Sequence, residues 1–334
     1  MIVWGGENPP TYFGNGARYN RAQDTWSSVN PNGAPGARIM HTATWTGSEM
    51  IIWGGFSNNV AFGDGARYNP TNDTWLPISS TDAPVARYNH SAVLSGTEML
   101  VWGGSTADGT YLNSGGRYNP LTDSWLPIQT DGAPSPRSLH SAVWTSTELL
   151  VWGGAAPVAG YTNSGARYNP STDTWLPMST TGAPSPRMLV PAVWTGSKLL
   201  VWGGYFPSTD RSDGAIYDPS TDGWNPIATS GAPSARRGHV ALWTGTEMVV
   251  WGGYSDSTGS FFADGGRYDP ARNVWLSVSG AGSQGARAWG YWAAAVWTGG
   301  EMLTWGGEGP TGGHWDNDGT WYVPSRTLYL YTKP

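Results

Sequence analysis

Hydrophobic residues in this chain come in short runs, and none follows a helical period. The stretch HTATW (41–45) is followed by MIIW (50–53), GARYN (65–69) and DTWLPI (73–78), each closed by Gly, Asn-Pro or a Pro-containing segment. Short runs rich in Val, Ile, Thr, Tyr and Trp between such breakers read as strands. The run MIIW, with MLVW and LLVW in later copies, alternates weakly, as a strand covered on both faces does. The pattern predicts four antiparallel strands per copy, A to D from the inside out, and no helix.

The four-strand pattern repeats. Trp-Gly-Gly occurs seven times, at Trp4, Trp53, Trp102, Trp152, Trp202, Trp251 and Trp305, with steps of 49, 49, 50, 50, 49 and 54 residues. A period near fifty marks an array of like supersecondary units. Length alone would suggest two domains. The even repeat predicts one instead, spanning 1–334, with repeats at about 1–30, 38–79, 87–129, 137–179, 187–228, 236–278 and 287–334.

In the second repeat the recurring residues are Gly54, Gly55, Tyr68, Trp75, Arg87 and His90. This pattern resembles the kelch repeat over essentially the whole chain. The resemblance implies a β-propeller with strand A lining a central channel, and it says little about function. Strands B, C and D are each counted seven times, strand A only six. The expectation is therefore an all-β, seven-bladed kelch-type propeller of four-stranded antiparallel blades. Its first blade lacks the innermost strand, and residues 1–6 hold a strand B. Met1 stands at the place of Met50, Met99, Met248 and Met302, so either the first repeat is short by design or, as expected, an upstream segment is missing, with which a leader could have been lost.

Composition narrows the function. The net charge is -6, charged residues make up 13%, and the only lysines are Lys198 and Lys333. With no basic run, nucleic acid is not an expected partner. No stretch approaches twenty apolar residues, so no membrane span is expected. The absence of cysteine removes disulfides, thiolate nucleophiles and thiolate metal sites. No cofactor is expected, and the chain is read as a monomer. Its Gly-, Ser-, Thr-, Asn- and Trp-rich make-up suits an extracellular or periplasmic bacterial protein.

Of 22 tryptophans, seven lie in Trp-Gly-Gly, six in strand D and five in strand A. These 18 are expected to pack between blades. Trp289, Trp292, Trp315 and Trp321, all in the last repeat, break the pattern. The resemblance places the D–A and B–C loops on one face, around the channel mouth. An Arg-x-x-His segment leads into strand A there, with Arg38, Arg87, Arg137, Arg187, Arg236 and Arg287 and with His41, His90, His140 and His239. Val190 and Tyr291 replace the histidine in two repeats. The two residues between Arg and His differ in every copy, so the fold alone does not dictate them. Trp289, Tyr291, His314 and Trp315, with Arg237, Tyr88 and Asn89, are thus the candidate pocket. Arg87, Arg137, Arg287 and the other repeated arginines would form its wall. Such a wall would be positive and favour an acidic glycan or carboxylate. Alternatively, the arginines tie the loops to neighbouring blades.

Catalytic signatures are scarce. Without cysteine, the Tyr–Cys copper chemistry of kelch-like oxidases is excluded, and the iron motif E-x-x-x-D-x-x-x-H of some plant kelch proteins is absent. There is no G-x-S-x-G, H-E-x-x-H or phosphate loop. Glu308, His314 and Asp316 are weak metal candidates. The neighbouring Asp318 aligns with Asp64, Asp213 and Asp264 as a turn residue before glycine. The reading is a non-catalytic binding module for a glycan or a protein or peptide at the loop face. One alternative is a lyase, epimerase or hydrolase acting on an anionic sugar. Another is a structural repeat region of a larger secreted or surface protein.

Overall fold

A computed structural model of the chain describes residues 1–157, 160–278, 293–307, 319–322 and 329–331. Every regular element among them is a β-strand. Six sheets have four strands in the order A-B-C-D, covering 42–77, 91–128, 141–177, 192–226, 240–277 and 294–331. In the first, strand A is Thr42–Trp45, B Met50–Trp53, C Gly65–Asn69 and D Thr74–Pro77. All pairs are antiparallel, and Tyr68 faces Met50 on one side and Trp75 on the other.

The expected count of seven blades is corrected to six. The copy of Trp-Gly-Gly at Trp4 lies in a three-stranded sheet of Ile2–Trp4, Gly16–Asn20 and Thr25–Ser28, which does not make a complete blade. Counting Trp-Gly-Gly counts B strands, whereas a blade also needs an A strand beside B. The difference shows in burial: Met50–Trp53 is buried throughout, but in Ile2–Trp4 only Trp4 is.

The chain divides into two compact units, Met1–Met178 and Ser179–Pro334. The first holds the three-stranded sheet and three blades. In it, strand A of the middle blade, Ser91–Leu94, lies between Thr42–Trp45 and Ser141–Trp144. The second holds the other three, with Val240–Trp243 between Ala192–Trp194 and Ala294–Trp297.

Tryptophans join the blades as the sequence predicts for strands B and D. Leu100, Trp102 and Ile128 of one blade pack against Leu149, Val151, Tyr168 and Trp175 of the next. The Trp102 and Trp175 rings lie 5.4 Å apart. Trp175 also donates its indole N–H to the Gln129 carbonyl at 2.8 Å, which satisfies the one polar atom that burying a tryptophan puts at risk. Trp75, Trp125, Trp224 and Trp275 repeat that bond to Asn30, Ser79, Ser179 and Ala228. In strand A, Trp144, Trp243 and Trp297 are partly buried against such clusters, whereas Trp45 is 49% exposed. It ends its strand at a turn.

The other repeated residues form one joint. Gly55 donates its N–H to the Arg87 carbonyl at 2.9 Å. Gly54 has φ +67°, and a Cβ there would stand 2.6 Å from His90 Cε1 and 2.9 Å from the Arg87 oxygen. Only glycine has both the backbone freedom and the room. Trp53 meets His90 edge to face at 5.2 Å, and His90 Nε2 is 3.0 Å from Thr42 Oγ1 of the preceding blade. Trp-Gly-Gly of one repeat and Arg-x-x-His at the start of the next are two halves of the same contact.

This joint makes stability pH-dependent. Burial, reinforced by the nearby arginine, lowers His41 to about 4 and His140 and His239 to about 3, and pushes His90 well below the ordinary value. An unfolded histidine takes up a proton near pH 6.5 and the folded ones do not, so stability is lost as pH falls from about 6.5 towards the folded values. Each fully buried histidine contributes up to about 1.4 kcal/mol of loss per pH unit in that window. Urea unfolding at pH 7 and pH 5 is expected to show the lower midpoint at pH 5, with a smaller difference in His140→Gln. Equal midpoints would contradict the neutral, buried assignment.

Candidate functional site

Among the described residues the D–A segment and the B–C loop meet at the same end of five blades, and their meeting point is built the same way in each. The first variable residue of Arg-x-x-His makes an isolated antiparallel bridge to the residue after Trp-Gly-Gly: Ile39 to Phe56, Tyr88 to Ser105, Ser138 to Ala155, Met188 to Tyr205 and Arg237 to Tyr254. The second variable residue has positive φ: Met40 54°, Asn89 53°, Leu139 55°, Leu189 54° and Gly238 59°. Gly238 adopts this freely and Asn89 readily. Met40, Leu139 and Leu189 do so at a cost of about 1 kcal/mol or more each. The backbone here is fixed by the fold, while the side chains are left to vary.

The repeated arginines serve the fold. Arg38, Arg87, Arg137, Arg187 and Arg236 have no exposed surface. Arg137 donates from Nε to the Ser135 carbonyl, from Nη1 to the Gly153 and Ser164 carbonyls, and from Nη2 to the Ser135 and Ser164 hydroxyls, at 2.8–3.1 Å. Arg87 does the same with Val85, Gly103 and Ser114. Burial lowers both to about 10, so they remain charged at neutral pH. In three blades an aspartate replaces the loop serine, and Arg38, Arg187 and Arg236 pair with Asp64, Asp213 and Asp264. Arg87 and Arg137 therefore present no donor to solvent. The aspartate read as a turn residue is also the arginine's partner.

The described candidate residues fall in separate units. Tyr88 and Asn89 belong to the first, where the half-buried Tyr88 ring lies 4.8 Å from Phe56 of the preceding blade. Arg237 belongs to the second. Its guanidinium carbon stands 4.2 Å from the Tyr205 ring centre and 5.3 Å from that of Tyr254. Its Nη1 donates to Asp256 at 2.6 Å, and Asp210 lies 3.8 Å away. Asp210 is buried, accepts the Asp256 N–H at 2.6 Å, and has its pKa raised by burial against the opposing pull of that N–H and Arg237. Two carboxylates beside one guanidinium give the surroundings of Arg237 a mixed charge. Trp289, Tyr291, Arg287, Glu308, His314, Trp315 and Asp316 lie outside the described residues.

Sequence reasoning missed Tyr254, Asp210 and Asp256. A signal existed for the first. The residue after Trp-Gly-Gly is aromatic in three repeats, Phe56, Tyr205 and Tyr254, and that position always faces the first variable residue. Among the described residues no group of three or more His, Cys, Asp or Glu could hold a metal ion, and no helix is long and apolar enough to cross a membrane.

These blades and joints define a kelch-type β-propeller. A family model of the Attractin/LZTR1 β-propeller matches residues 1–215 and 50–310, and the chain belongs to that family. No curated protein matches the chain.

Proposed function

We propose that the chain is a non-catalytic binding module that takes a segment of a partner protein on the loop surface around Arg237. The observation that carries this reading is Arg237 held flat over Tyr205 and Tyr254 by the Asp256 carboxylate. Arginine and tyrosine are the side chains that most often anchor protein interfaces. A guanidinium already stacked and hydrogen-bonded loses little freedom on binding. Asp256 is exposed and Arg237, Tyr205 and Tyr254 are partly so, which gives a rim of mixed charge around an aromatic floor. That balance suits a polar, aromatic peptide better than an acidic glycan. The four buried histidines support the non-catalytic part, since none titrates near neutrality where a general base would.

The test is a peptide array and a glycan array probed with the purified chain, alongside two variants. Arg237→Ala/Asp210→Asn removes the guanidinium together with the charge buried beside it. Tyr254→Ala leaves those charges in place. Peptides are expected to bind the native chain and to lose about tenfold or more in affinity with either variant. Binding confined to the glycan array, or peptide binding indifferent to both variants, would overturn the assignment.

A further inference from the structure

The opposite end of the blades carries a second feature. Where the blade at 91–128 meets the blade at 141–177, the A–B and C–D turns border an open cleft of about 380 Å³. Glu98 and Arg117 line it from one blade, and Trp144, Ser146, Thr147 and Asn169 from the next. Both blades belong to the first unit.

Three observations bear on this cleft, and the third is peculiar to it. Trp144, the last residue of its strand A, is partly exposed and forms part of the wall. Tryptophan also ends strand A at Trp45, Trp194, Trp243 and Trp297, whereas the preceding blade has Leu94. Glu98 and Arg117 are bonded at 2.9 Å with only 16% and 20% of their side chains exposed, and Arg117 Nη1 also donates to the Pro170 carbonyl at 2.8 Å. The pair is thus fixed in place with its charges offsetting each other, as are Glu49–Arg67, Glu148–Arg167 and Glu247–Arg267 in other blades.

The third observation is backbone strain. Ser146 has φ +90°. Five other A–B turns place glycine there, Gly47, Gly96, Gly196, Gly245 and Gly299, at φ +78° to +105°, and a Cβ on any of them would meet open space. The turn needs no side chain, and glycine adopts its conformation without strain. Serine bears a conformational cost here, and what it adds is a hydroxyl on the cavity wall beside Trp144.

The geometry points to a binding site for one neutral pyranose sugar, with Trp144 as the stacking platform and Glu98, Arg117 and Ser146 as hydrogen-bonding groups. A sugar has an apolar face of C–H groups, which an indole ring accommodates. Its hydroxyls donate to a carboxylate and accept from a guanidinium at neighbouring positions. The volume falls at the small end of ligand pockets, enough for one ring. Because Glu98 and Arg117 offset each other, the site favours an uncharged sugar. It is independent of the peptide surface around Arg237.

The test is titration of the full chain with the methyl glycosides of glucose, galactose and mannose and with N-acetylglucosamine. Calorimetry and the Trp144 indole N–H resonance are the readouts. At least one sugar is expected to shift that resonance saturably. The chain's own repeats supply variants that fit the fold: Trp144→Leu, as at Leu94, and Ser146→Gly, as at Gly96. Trp144→Leu should weaken binding by about tenfold or more. Ser146→Gly should weaken it while keeping or raising the melting temperature, which separates lost binding from lost folding. If no sugar moves the Trp144 resonance, or if binding survives both substitutions undiminished, the proposal is overturned.

Discussion

Replacing Arg137 by alanine is expected to lower stability by about 3–5 kcal/mol, although the residue lies in a loop segment. Its side chain has no exposed surface and donates to three carbonyls and two hydroxyls. Alanine would leave those acceptors facing a cavity, with neither protein nor bulk water to meet them. An orphaned buried acceptor costs roughly 1–3 kcal/mol, and the lost packing adds to it. Arg137→Met, which keeps much of the volume, should recover only the packing part. Urea unfolding, read from the first unit, measures both. A loss under about 1 kcal/mol, the ordinary range for surface positions, would show that the loops are held by other contacts.

Trp175→Ala is expected to have a similar cost, about 3–5 kcal/mol, by a different route. The ring packs against Trp102 of the preceding blade at 5.4 Å and Tyr168 of its own at 5.0 Å. It also bonds the Gln129 carbonyl. One substitution therefore opens a cavity at a joint between blades and breaks a cross-blade hydrogen bond. Trp45→Ala is the matched control. Being 49% exposed, it should cost well under about 1 kcal/mol. Equal losses at the two positions would mean that the blades are not joined through strand D.

Strands and period were legible in the sequence because both are local. A run such as MIIW between breakers, and its return after about fifty residues, need no knowledge of neighbours. The blade count was not, since Trp-Gly-Gly reports strand B alone and the sheet that holds Trp4 has three strands. The role of the repeated arginines stayed open for another reason. Their acceptors are mostly backbone carbonyls such as Gly153 and Ser164, which every sequence possesses, so no residue type announces the pairing. Arg237 was visible as a variable residue beside a repeated arginine. Its partner Asp256 lies 19 residues on, and Asp210 contacts Asp256 across 46 residues. That spacing becomes informative only once the blades are stacked. Ser146 was legible as a departure from glycine, but its meaning needed the positive φ and the cavity beside it.

The central claim is that buried arginines hold the fold, while Arg237 is proposed to meet a partner. It is tested most directly by melting temperature and peptide binding measured side by side for Arg137→Ala and Arg237→Ala/Asp210→Asn. The first is expected to lower the melting temperature sharply, and the second to lose binding while melting near the native chain. A second variant that melts early yet binds as tightly as the native chain while folded would contradict the account.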